Sequence, residues 1–556
     1  MVLMKSAFFA VLAASTVLAG PTSDKDLRKA EQRCSQLAKL ATAKFKDVTV
    51  LMTKVYPDNS TIDEPTAIAQ YGAPVVELPA MCRFAANITT SPNSKVKFEL
   101  WMPLKWTGRL TLVGNGGMAG GVNYPDMWGP IARYGMAVAS TDTGHTGDSG
   151  DGTFLIKGPA TQIDFGWRAV HLTATYSKQI VKDFYKSAAH HSYWVGCSSG
   201  GKQGLRELQQ FPDTFDGVIA GASAQWWTHL NAQTYRINAL VNTLNSTGFL
   251  APKDYAVIGA AVMEQCDELD GLKDRIITDP SKCKPDLTSV TCTTPGANQS
   301  ACITPAQAST MKKIWSEWRS QDGSEFLFFG FNPGSEGAPN FSVNGVPYGE
   351  YSDECRCPGP DFFNYQVLNN TKVGPFYANE TEIERLLKIA DATDPGQTNA
   401  IKADISPFLR RGKLITYVGL ADTLIPSGMT PWYHEQVSKA VPRQLVDNSF
   451  QMYLIPQLGH CRGGNAAGAI GQGGQRPLSQ NGTFLPAVSN DAKYDMIQSL
   501  IDWTERGKKP IEFIGTKYVN DNKNHGVQFQ RPVCPYPKQP KYLGGDPNKA
   551  SSFKCA

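Results

Sequence analysis

Histidine is scarce in this sequence, with eight residues in 556. None forms an H-E-x-x-H pattern or a comparable cluster, which argues against a metallohydrolase centre. Charge of one sign is also in short supply: 54 Lys and Arg against 50 Asp and Glu leave a net charge of +4. No basic block stands out, so nucleic acid is not an implied partner. Beyond the N-terminus no apolar run approaches the roughly 18–20 residues that a bilayer-spanning helix needs, so no membrane is implied. No tandem repeat is present, which argues against a repeat architecture.

What the chain does contain points outward from the cell. Lys5 precedes an apolar run from Ala7 to Leu18, and Val17-Leu18-Ala19 offers a small-residue cleavage site. Residues 1–19 are therefore expected to be a secretory signal. Twelve cysteines, an even number, suit an oxidising compartment. Eight N-x-S/T sequons, at Asn59, Asn87, Asn245, Asn298, Asn340, Asn369, Asn379 and Asn481, are candidate glycosylation sites of a secreted chain.

The length suits one large domain carrying an insertion. In residues 20–225, buried-strand candidates alternate with helical stretches. Arg109–Val113 runs into Gly114-Asn115-Gly116-Gly117, and 135–140 and 215–222 are further apolar runs. Strands that end in Gly-rich loops predict a mostly parallel α/β sheet. Residues 226–405 break the alternation and hold six cysteines and five sequons. That is the profile of an inserted domain covering a site. Residues 406–556 resume the strand pattern, at 413–419 and 451–456, and contain a Gly-rich loop at 463–474.

The most informative stretch is Gly196-Cys197-Ser198-Ser199-Gly200-Gly201. A short β-prone run leads in and a helix candidate leads out, as a G-x-S-x-G nucleophile elbow requires. An α/β-hydrolase orders its triad Ser, acid, His. Asp422 follows one strand candidate and His460 the next, so Ser198, Asp422 and His460 are the candidate triad. His145 also follows a strand, but its place before the serine breaks that order. For the tetrahedral intermediate, the N–H of Ser199 and that of Gly116 or Gly117 are the candidate oxyanion donors. Trp226 and Trp227 are candidates to stack on an aromatic substrate ring. A third signal, Cys266-Asp267-Glu268-Leu269-Asp270-Gly271-Leu272-Lys273-Asp274, crowds carboxylates around a glycine. Such hard oxygen donors suit Ca²⁺, although the spacing is not that of an EF-hand.

Taken together, the motifs at 114–117, 140–145, 196–201, 216–222, 421–426 and 459–461 resemble the tannase and feruloyl esterase family over nearly all of the mature chain. The resemblance implies an α/β-hydrolase fold with a large lid, here residues 226–405. It implies a disulfide between Cys197 and Cys461 that holds the serine and histidine together. It further suggests the pairs Cys34–Cys82, Cys266–Cys283, Cys292–Cys302 and Cys534–Cys555, and leaves Cys355 and Cys357 unassigned. It implies a structural Ca²⁺ in the lid, held by the side chains of Asp267, Asp270 and Asp274 and the carbonyls of Leu272 and Ile276. The expected activity is a secreted serine carboxylesterase acting on phenolic-acid esters, free or on plant polysaccharide. Feruloyl esters are placed ahead of gallate esters, and terephthalate monoesters are a distant third. A hydrolase fold that only binds its ligand is the reading from a different class, disfavoured because all three triad residues are present.

Overall fold

The computed structural model describes residues 21–63, 71, 74–241, 247–296, 298, 300–336, 358–374, 376, 378–473 and 485–556. The expected signal, the sequons Asn245, Asn340 and Asn481, and Cys355 and Cys357 lie outside the described residues.

Among the described residues, nine strands form the central sheet. In chain order they are β1 (Val48–Tyr56), β2 (Met81–Ser91), β3 (Ser94–Pro103), β4 (Arg109–Val113), β5 (Ala137–Thr141), β6 (His191–Cys197), β7 (Gly217–Gly221), β8 (Lys413–Gly419) and β9 (Phe450–Ile455). Their order in space is β1-β2-β3-β5-β4-β6-β7-β8-β9. Pairing is antiparallel from β1 through β3 to β5. From β5 to β9 every pair is parallel. The parallel strands are apolar on both faces because helices cover both. Along β6, Trp194 enters one core while Tyr193 and Val195 enter the other; Val218 and Ile219 divide likewise along β7. Each such side chain, once buried, contributes roughly 1.5–3 kcal/mol.

One face is covered by α1 (Asp24–Lys44), α3 (Ala169–Tyr185), α4 (Ser199–Gln210) and α6 (Met429–Ala440), which share a core with alternate strand residues. The other is covered by α2 (Tyr124–Tyr134) and α7 (Met496–Arg506). Asn123 starts α2 by accepting the Asp126 N–H, and Gly135, at φ 59°, stops it. The chain therefore leaves β4 toward α2 and leaves β6 toward α4, on opposite faces of adjacent strands. Such a reversal opens a crevice at the carboxyl ends of the strands. The loop 114–117 and Ser198 meet there.

Between β7 and β8 the chain departs from the sheet, and among the described residues of that stretch no strand rejoins it. It begins as α5 (Trp227–Val241). Part of it builds a core of its own from Leu250, Ile258, Val262, Ile303, Met311 and Ile314. Another part, including Trp227, Phe362 and Leu386, packs against Phe165, Ala222 and Val418 of the sheet-bearing region. The three N-terminal antiparallel strands extend the parallel sheet at one edge, a feature that the strand–helix alternation did not distinguish.

Candidate active site

The backbone at Ser198 is forced into an unusual conformation, φ 62° and ψ −126°. Small neighbours make it possible. A Cβ on Gly196 would lie 2.4 Å from the Gly200 carbonyl oxygen, and one on Gly201 would lie 2.7 Å from that of Gly221. The turn is locked by the Ser198 N–H on Gly221 O at 2.9 Å and by Ala224 N–H on Ser198 O at 3.0 Å. Helix α4 starts at the next residue, so its N-terminal amides and positive dipole end lie beside the serine.

Asp422 and His460 leave the ends of β8 and β9. The His460 Nδ1–H donates to both carboxylate oxygens of Asp422, at 3.0 Å to Oδ1 and 2.9 Å to Oδ2. Asp422 is buried, and its Oδ1 also accepts the N–H groups of Leu424 (2.8 Å) and Ile425 (2.9 Å). Those amides satisfy a charge that burial alone would make costly. With Nδ1 committed to the carboxylate, Nε2 is the ring nitrogen left for chemistry. Among the described residues no hydrogen bond joins Ser198 Oγ to the imidazole; such bonds are often long before substrate arrives.

A disulfide joins Cys197 to Cys461, with Cα atoms 6.0 Å apart and a sequence separation of 264. The neighbours of the serine and of the histidine are thus covalently one. Bridges also join Cys34–Cys82, Cys266–Cys283, Cys292–Cys302 and Cys534–Cys555.

Ser198, Ser199, Gly116, Gly117 and His460 line one cavity of about 240 Å³. Gly116 N–H donates to the Tyr71 hydroxyl at 3.0 Å, so it is already spent. Gly117 and Ser199 are tied together by the Ser199 Oγ–H on Gly117 O at 2.7 Å. Their own N–H groups have no partner among the described residues. Of the two glycines expected as donors, Gly117 is the one left open.

Helix α5 supplies a wall of Trp227, Leu230, Asn231, Thr234 and Ile237, which follow one helix face. The adjacent tryptophans separate. Trp227 lines the cavity, whereas Trp226 stacks on Trp432 at 4.5 Å and does not line it. His145 lies outside the cavity, stacked on Phe154 at 3.5 Å with Nε2 2.8 Å from Met118 O. Burial pushes its pKa down to about 4, so it is a neutral packing residue. Asn231, Thr234, Tyr71 and Asp126 also line the cavity and were not singled out from sequence. The i, i+4, i+7 series Trp227, Asn231, Thr234 was the available signal for the first two.

In the acidic loop, Asp267 Oδ1 accepts the N–H of Ile276 at 3.1 Å, and Asp274 pairs with Arg531 at 2.8 Å. The Asp270 carboxyl is pushed up by burial, with the charges of Asp274 and Asp267 adding to the effect. The carbonyls of Leu272 and Ile276 accept no hydrogen bond among the described residues. Among those residues no group of three or more His, Cys, Asp and Glu side chains is gathered closely enough to hold a metal ion. Of the described sequons, Asn59, Asn298, Asn369 and Asn379 are exposed, and Asn87 is half-buried on β2.

A family model described as tannase and feruloyl esterase matches residues 82–556. A probable feruloyl esterase B-1 of Aspergillus oryzae is 32% identical over 503 residues, covering 89% of this chain and 87% of that protein. Feruloyl esterase C of Talaromyces stipitatus is 31% identical over 541 residues, 96% of each chain. The crystal structure of feruloyl esterase B from Aspergillus oryzae matches with a TM-score of 0.82 at 30% identity, covering 95% of this chain and 100% of that one. A tannin acyl hydrolase from Aspergillus niger shares the fold, with a TM-score of 0.70 at 20% identity over 95% of each chain.

Proposed function

Because this chain belongs to the tannase and feruloyl esterase family, we propose that it is a secreted serine carboxylesterase that hydrolyses phenolic-acid esters, foremost the feruloyl esters of plant cell wall. The fold we assign is the α/β-hydrolase, with residues 226–405 as its lid. The observation that carries the reading is the His460 imidazole, held by the buried Asp422 carboxylate, on the same cavity as the Ser198 elbow. Ser198 Oγ attacks the ester carbonyl carbon while its proton passes to His460 Nε2. Charge moves to the former carbonyl oxygen, where the N–H groups of Ser199 and Gly117 receive it. Collapse of the intermediate breaks the bond to the alcohol oxygen, which takes the proton back from Nε2. Water then gives a proton to His460 and attacks the acyl-enzyme, releasing the phenolic acid and restoring Ser198 Oγ–H. Asp422 holds the imidazole in the tautomer that both steps need.

The test is turnover of matched methyl esters of ferulic, caffeic, p-coumaric and gallic acids. Cinnamate turnover without gallate turnover is the expected result. Turnover of gallate alone would assign a tannase. No turnover, together with no labelling of Ser198 by a fluorophosphonate, would leave a binding protein.

Two further roles belong to the same proposal. N-glycans are carried on the exposed sequons. The residues that would hold Ca²⁺, once drawn together around it, are the Asp267, Asp270 and Asp274 side chains and the Leu272 and Ile276 carbonyls. The loop fits such an ion in kind: hard oxygens, two open carbonyls, and carboxyls whose mutual repulsion a cation would relieve. Bound there, calcium would supply charge neutralisation in the lid and no chemistry at the ester. At a thousandfold excess over its Kd it should stabilise the fold by about 4 kcal/mol. Chelation is therefore expected to lower Tm and calcium to restore it; a Tm indifferent to both would remove the ion from the proposal.

A further inference from the structure

Helix α4 carries a lysine where its first turn ends. Lys202 donates its backbone N–H to Ser198 O at 3.1 Å, one turn below the elbow. Its side chain is fully buried, and among the described residues Nζ has no hydrogen-bond partner. Its immediate contacts are aromatic. Nζ sits 4.1 Å from the Trp227 ring centroid and 4.4 Å from that of Phe165. These two rings are themselves neighbours at 5.7 Å. Trp227 is the first residue of the α5 wall of the cavity, and its indole Nε1–H is buried without a partner. No hydrogen bond to its own polar atom therefore fixes the ring. A buried ammonium without hydrogen bonds costs free energy, and a Met or Leu would fill the space without that cost. The compensation on hand is the pair of ring faces, and a desolvated cation–π contact is strong.

We propose that Lys202 is a positioning residue: its ammonium, held against the rings of Phe165 and Trp227, fixes the cavity wall on which the aromatic acyl group of the substrate rests. This rests on the phenolic-ester reading of the same cavity. Lys202 touches neither substrate nor the reacting atoms; it acts through Trp227. The charged groups that act on it are Asp394, which favours the ammonium, and Arg206, which opposes it. Burial outweighs both and brings the Lys202 pKa down to about 7. The ammonium is thus present in mildly acidic solution and lost as pH rises above neutrality. The wall should loosen in the same direction.

The experiment compares wild type with Lys202→Met on methyl ferulate and on p-nitrophenyl acetate, at pH 6 and pH 9. At pH 6 the variant should raise KM for methyl ferulate about thirtyfold, the worth of one desolvated cation–π contact. Its kcat should change little, and the acetate, whose acyl group carries no ring to place, should keep its KM. The wild-type KM for methyl ferulate should itself climb from pH 6 to pH 9. In the variant, which shares His460, it should stay level. Equal losses on both esters, or an unchanged KM for methyl ferulate at pH 6, would overturn the assignment. A variant that cannot be purified folded leaves the wild-type profile decisive, since a flat KM between pH 6 and 9 is incompatible with it. A wild type that cleaves the acetate but no ester of a phenolic acid would bring down the phenolic-ester reading and this inference with it.

Discussion

Ser198→Ala is expected to lower kcat on methyl ferulate by about 10⁶, the scale seen when the nucleophile of a catalytic triad is removed. The loss should appear without loss of fold. Serine and alanine carry the same Cβ, and it is Cβ that makes φ 62° unfavourable at this position. Alanine inherits the strain and neither relieves nor adds to it. Thermal unfolding of Ser198→Ala should therefore track wild type. Ser198→Gly should be equally inactive and more stable, by about 1–2 kcal/mol, because glycine accepts this backbone freely. The trio separates a strained nucleophile from an ordinary turn serine. Residual turnover within tenfold of wild type in either variant would remove Ser198 from the chemistry. A destabilised Ser198→Gly would show that the elbow stores no strain.

The second large effect concerns proton placement. Asp422→Asn is expected to cost about 10⁴ in kcat. The geometry says why the substitution is severe although the shapes match. Two backbone N–H groups, from Leu424 and Ile425, converge on Oδ1. An asparagine must keep its oxygen there, which places its NH₂ where Oδ2 now faces His460 Nδ1 at 2.9 Å. A donor in that position makes Nδ1 the acceptor and moves the ring proton to Nε2. Nε2 can then no longer take the Ser198 proton. Steady-state kinetics near pH 7, with circular dichroism to verify the fold, would test this. A loss below tenfold would mean that another group orients His460.

The turn at Ser198 and the pairing of Asp422 with His460 were legible because each is announced by short-range chemistry: small residues around a strained serine, and polar residues placed just past apolar strands. The walls of the site were not. Trp226 and Trp227 look equivalent in sequence, but Trp226 precedes α5 and Trp227 is its first residue, so no helical period relates their directions. Only tertiary packing decided that one lines the cavity and the other stacks on Trp432. The oxyanion candidates could not be narrowed because Tyr71, which occupies Gly116 N–H, lies 45 residues away. The antiparallel strands β2 and β3 were obscured by charges at buried positions. Arg83 and Glu99 are fully buried, and they satisfy one another across neighbouring strands at 2.8 Å. A strand read by itself cannot reveal that its charge has a partner.

The bridge between Cys197 and Cys461 also bears on how the molecule would age. A protease that cuts the backbone anywhere between those residues makes two polypeptides but not two molecules. Ser198 stays on one fragment and His460 on the other, and the sulfur bond keeps their flanking residues joined. The whole segment between β7 and β8 lies inside that covalent loop. Cuts in that segment can then accumulate before the residues flanking Ser198 and His460 are able to part. In a reducing medium the same nick would release them.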